Sequence, residues 1–179
     1  MRLTIFALAL SSAAAAQAVA AESPEFRGKG LEVIAPLLGK TWVGEDVSSS
    51  GARTLSVERW ERILDGSAAR LTASVSDGLK YQLTFYVDPT THALSFHAVS
   101  NAGAIMTGTV SVADGRMIWD ERIVGSPDLD EVKLTFTRLG EGAMKSRSEY
   151  FQAGNRVSGG HGFNYHVDLN AKPPLAPTP

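Results

Sequence analysis

Apolar and polar residues alternate with a period of two along most of this chain. Between Leu79 and Val87, Tyr81, Leu83, Phe85 and Val87 fall on one side; Lys80, Gln82 and Thr84 fall on the other. That is the pattern of a strand with one buried face. Turn-forming pairs punctuate the runs: Asp65-Gly66, Asp77-Gly78, Asp88-Pro89, Asp114-Gly115 and Gly154-Asn155. Gly at such positions accepts the positive φ that tight hairpins need. The segmentation predicts strands over 41–47, 54–64, 69–76, 79–87, 92–100, 104–112, 116–124, 131–139, 143–152 and 163–168. About ten strands joined by short turns predict an all-β protein, a closed antiparallel up-and-down barrel.

Ahead of the first strand, Leu31, Ile34, Leu37 and Leu38 recur at helical spacing. Pro36 restricts this segment to one or two turns, and Gly39 fits as its C-cap. A helix so short has no core of its own. It is expected to lie across one mouth of the barrel as a plug.

The same alternation assigns the inward faces. Leu94 and Phe96, Met106, Val110 and Val112, and Val132, Leu134 and Phe136 line one interior. So do Met117, Trp119, Glu121 and Ile123, then Met144, Ser146, Ser148 and Tyr150, then Phe163, Tyr165 and Val167. Three Tyr hydroxyls, two Ser hydroxyls and one carboxylate on that face suit a small-molecule pocket better than a dry core. The competing reading is a closed core in which these groups satisfy one another, or a Glu121 at a wet rim. The predicted lining residues are Tyr81, Phe85, Trp119, Glu121, Tyr150 and Tyr165, with Trp42 closing the floor. Glu58, Glu61 and Arg62 around Trp60 read as an amphipathic outer strand, with Trp42 and Trp60 packed at the barrel end under the helix.

Composition changes the picture at the N-terminus. Arg2, the apolar run Leu3–Leu10 and the small, Ala-rich stretch Ser11–Ala21 make a signal peptide over 1–21. The run falls short of the ~20 apolar residues of a transmembrane helix, so no membrane span is expected in the mature form. The barrel domain then covers 22–168, and 169–179, rich in Pro, is expected to be a disordered tail. Cys is absent, which rules out disulfides and thiolate chemistry and suits a bacterial periplasm. The expected location is periplasmic or secreted. Lys plus Arg number 17 against 19 Asp plus Glu, with no basic block, so nucleic acid is a poor partner. Charges within the strands argue against an outer-membrane barrel. A monomer or homodimer is expected.

No catalytic signature is present: no G-x-S-x-G, no H-E-x-x-H, no phosphate loop. His161 and His166 lie five apart, on opposite faces of a strand, and cannot share a metal. His92 falls in a turn, and His97 faces away from Phe96. The favoured function is binding of a small, largely apolar ligand. One alternative is an isomerase, cyclase or hydrolase using Glu121 and a Tyr as acid and base, because burial raises a carboxylate's pKa. The other is an interaction protein with a filled core.

The stretch Leu31–Glu45, with Gly39-Lys40-Thr41-Trp42-Val43-Gly44 at its heart, resembles the opening of calycin-type barrels: lipocalins, fatty-acid-binding proteins and nitrobindins. It is most similar to the nitrobindin run L-x-P-L-L-G-x-W-x-G-x-G, with one added residue before Trp42 and Asp46 in place of the last Gly. Trp60–Val75 and Asn101-Ala102-Gly103 also resemble small exported bacterial lipocalin-like domains of unknown function. The resemblance implies a barrel around a small hydrophobic ligand. For nitrobindins that ligand is haem, held by a His near the C-terminal end. His166, and after it His161, is the position that matches. The lipocalin pattern further implies an Arg on a late strand against the opening Trp, for which Arg147 is the candidate.

Overall fold

The computed structural model describes residues 25–47, 52–157 and 160–173. The segment read as a signal peptide and the last residues of the Pro-rich tail lie outside these. Eleven strands form one antiparallel sheet: β1 Thr41–Val47, β2 Arg53–Ile63, β3 Ala68–Val75, β4 Lys80–Val87, β5 Leu94–Ser100, β6 Ile105–Ala113, β7 Arg116–Val124, β8 Glu131–Arg138, β9 Ala143–Gln152, β10 Asn155–Val157 and β11 Asn164–Val167. Each strand from β1 to β9 pairs with the next, in up-and-down order. β11 pairs with both β9 and β1 and closes the ring. The short β10 takes the other end of the same β9 edge. The ring is therefore ten strands around, as the hairpin punctuation predicts.

The predicted N-terminal helix is not formed. Two 3-10 turns, Gly30–Glu32 and Ala35–Leu37, stand in its place. Pro36 lies in the second turn, where its missing N–H and fixed φ prevent the segment from winding on as an α-helix. The plug itself is real. Phe26, Val33, Ile34 and Leu37 are buried. The Phe26 amide donates to the Gly115 carbonyl at 2.9 Å, and the Gly39 amide to the Trp60 carbonyl at 2.9 Å. These contacts fix the segment over the end of the barrel that carries the β6–β7 turn.

Above the plug sits an aromatic floor. Trp60 stacks on Phe85 with centroids 5.2 Å apart, Phe85 meets Trp119 at 5.3 Å, and Trp119 meets Phe136 at 4.9 Å. Such pairs add to the burial energy of their rings by about 0.5–1.5 kcal/mol each. Trp42 donates from its indole N–H to the Leu37 carbonyl at 3.3 Å, tying plug to floor. The cation over its ring is Lys40, 5.7 Å from the centroid. Arg147, the residue the lipocalin pattern implies for that place, is exposed on the outer face.

The outer face is charged. Arg59 and Arg70 both bind Glu61, at 2.9 and 2.7 Å, and Arg156 binds Glu149 at 2.8 Å. A lipid-facing barrel would present an apolar band there.

Candidate functional site

β2 carries Ser56, Glu58 and Trp60 on one face, and that face is the interior. This corrects the sequence reading, which placed Glu58 on an outer strand. The physical reason is the period of two: once the large Trp60 ring goes in, residue 58 must follow. Four groups share this pocket of polarity. The Tyr165 hydroxyl donates to Glu58 Oε1 at 2.7 Å. The Trp60 indole donates to Oε2 at 3.4 Å, and the Ser56 hydroxyl to Oε1 at 3.4 Å. Burial pushes the Glu58 carboxyl up, while these donors pull against it. Burial also lifts the Tyr165 and Tyr81 hydroxyls well above their usual range, and the nearby Glu58 adds to both shifts.

Toward the unplugged end the interior opens into a cavity of about 440 Å³. Leu71, Leu83, Met106, Ile123, Val132, Leu134 and Phe163 give it apolar walls. Glu58, Tyr81, Glu121, Ser146, Ser148, Tyr150, His161 and Tyr165 supply the polar groups. Its rim comes from the β3–β4, β5–β6 and β7–β8 turns, through Asp77, Leu79, Ala102, Gly125 and Leu129. A mostly apolar hollow with a few convergent polar groups is the usual form of a small-molecule site.

Glu121 is the odd member. β7 aims it inward between Gly108 of β6 and Val132 of β8, its cross-strand partners. It is 8% exposed. No hydrogen bond or ion pair to its carboxylate is found among the described residues. Burial alone pushes its pKa from 4.5 to about 7. Tyr81 and Tyr150 both feel its charge, which helps hold their hydroxyls in the neutral form. One strand position below it, the Trp119 indole N–H is buried without a partner.

At the rim the His161 Nδ1–H donates to Asp46 Oδ2 of β1, 2.8 Å away. Its ring lies 6.4 Å from Tyr150 and 6.0 Å from Phe163. His161, Phe163 and Tyr165 point to one side, again by alternation.

Of the residues singled out from sequence, Tyr81, Trp119, Glu121, Tyr150 and Tyr165 come together on the cavity wall. Trp42 and Phe85 do not reach it; both are buried in the floor. His166 lies on the outer face of β11, exposed, opposite Val43 and Ala143. Glu58 joins the wall although it was not singled out as a ligand contact, and so does His161, the second of the two His positions that the resemblance implies for a haem.

The first haem candidate, His166, points away from the interior and cannot reach a ligand there. The second, His161, stands on the wall at the rim with Nδ1 engaged by Asp46. No Lys or Arg among the described residues lines the cavity to pair with two propionates.

No family model and no curated protein matches the sequence. Among solved structures, Rv2717c from M. tuberculosis is similar in fold, with 15% identity and a TM-score of 0.51, over 77% of this chain and 96% of that one. At that identity the likeness concerns the barrel alone.

Proposed function

We propose that this protein is an exported, periplasmic or secreted, barrel that binds a small, largely apolar molecule in its interior. The observation that carries the reading is the cavity of about 440 Å³, open at one end and sealed at the other by the plug and the aromatic floor. A filled-core interaction protein would have no such space. Native mass spectrometry with an absorption spectrum tests the reading, on protein purified from its own exporting host. A co-purified small-molecule mass supports it. A clean apo mass, together with no uptake of apolar dyes, sinks it.

A second reading rests on Glu121. A carboxyl with a pKa near 7 inside a cavity, with the Tyr150 hydroxyl in electrostatic reach, has the equipment for acid–base transfer on a bound ligand. In that case a ligand recovered from the barrel is turned over by the wild type, and Glu121→Gln abolishes the turnover. Full turnover by the variant removes this reading.

A further inference from the structure

The cavity is short of positive charge. Glu58 and Glu121 lie inside it and Asp77 at its rim, and no Lys or Arg among the described residues lines it. Glu58 is satisfied by three neutral donors. Glu121 is not: it is more than nine-tenths buried, faces the hollow, and has no described partner. A buried carboxylate without a partner is expensive, and a cation brought to it relieves that expense at once. The tyrosine rings of Tyr81 and Tyr150, on the same wall, offer faces that attract cations.

We propose that the barrel takes an apolar amine, with the protonated nitrogen against the Glu121 carboxylate and the hydrocarbon along the apolar wall. This rests on the ligand-binding reading and deepens it. It runs against the carboxylate ligands expected of fatty-acid carriers and against haem, whose acidic groups would enter an acidic hollow unpaired. Among the described residues no Lys or Arg lines the cavity with Glu121, and the one imidazole on the wall, His161, is engaged at the rim by Asp46. Gly108 and Val132 flank it without charge, Tyr81 and Tyr150 are held neutral, and Glu58 across the interior is itself pushed toward its neutral form. All of these shifts are relieved by an incoming cation.

The experiment is calorimetric titration of the full mature chain at pH 7 with octylamine, octanol and octanoate, which share a tail and differ in the head. Octylamine is expected to bind at least about tenfold more tightly than octanol, and octanoate more weakly than either. Binding of the amine should also release protons as Glu121 ionises, read as a dependence of the heat on buffer type. In Glu121→Gln the amine-to-alcohol ratio should fall to about one. Octanol or octanoate matching octylamine overturns the head-group assignment while the cavity reading stands. A Glu121→Gln protein that keeps the amine preference does the same. If none of the three probes binds, both readings fall.

Discussion

Gly44 and Tyr165 are cross-strand partners on the seam where the first and last strands meet, and the tyrosine ring lies directly over the glycine. A Cβ at position 44 would stand 2.5 Å from Tyr165 Cε1. The glycine is there for space, since its backbone is ordinary strand. Its absent side chain lets Tyr165 lie flat enough to reach Glu58.

Gly44→Ala should therefore act at a distance. The displaced ring would stretch the 2.7 Å bond to Glu58 and strain the seam. Overpacking of this kind costs about 1–3 kcal/mol. Urea unfolding followed by tryptophan fluorescence checks the loss, and a midpoint equal to wild type would mean that the ring moves freely.

Tyr165→Phe removes one donor from a buried carboxyl and leaves the ring in place. The expected loss is about 1–3 kcal/mol, that of a buried group left short of a partner. Adding Gly44→Ala to Tyr165→Phe should give less than the sum of the two, because both act through the same bond. A double-mutant cycle by denaturation measures the coupling.

Two of the floor tryptophans, Trp60 and Trp119, should respond differently to the same change. Trp60 donates to Glu58. The Trp119 indole N–H is buried and unpartnered. Trp→Phe removes a comparable volume at each site, but only at position 60 does it orphan an acceptor. Trp60→Phe should thus be the more damaging by about 1–2 kcal/mol. Equal losses would show that the carboxyl draws nothing from the indole.

Glu121 gives the stability a pH dependence of known sign. Its pKa rises on folding from 4.5 to about 7. Below pH 4.5 it is protonated in both states, so its contribution is intact. Between pH 4.5 and about 7 the unfolded chain ionises first and stability falls; above 7 the loss is complete. At 1.36 kcal/mol per unit the full span is about 3 kcal/mol as an upper bound. Glu121→Gln should stabilise the protein at pH 8 and do little at pH 4. Glu58, shifted in the same direction, adds to the slope that remains, while Glu61 and Asp88, shifted down, oppose it at the acid end. Denaturation curves from pH 4 to 8 read both, and a variant with the wild-type slope would place the titration elsewhere.

The barrel was legible because alternation and turn chemistry agree at almost every hairpin. The inward position of Glu121 followed from Trp119, two residues before it. The inward position of Glu58 follows from Trp60 by the same rule, yet the charges around the ring, Glu58, Glu61 and Arg62, made the strand look like a solvated face. What burial a carboxylate can bear depends on donors from remote strands, here Tyr165, and no local pattern announces those. The plug was legible as an apolar segment and not as a helix, because Pro36 and the packing of Phe26 and Ile34 decide its winding. The cavity depends on how far facing side chains reach across the interior, which periodicity cannot measure. Phe85 was assigned to it on facing alone, and its depth along the barrel puts it in the floor.

The ring closes through four residues of β11, which bridge β9 to β1. Without it the sheet is open: β1 has one bare edge, and the facing edge of β9 is paired only by β10 and by the His161 and Phe163 carbonyls. The partners Trp42 and Val167 lie at opposite ends of the domain, so their meeting carries the largest loop-closure entropy in the fold. Formation of this seam should set the pace of folding, after the hairpins have zipped. Until the last strand is made, β1 and the start of β9 stay available to any other strand, and a chain cut short before residue 164 keeps those edges for good.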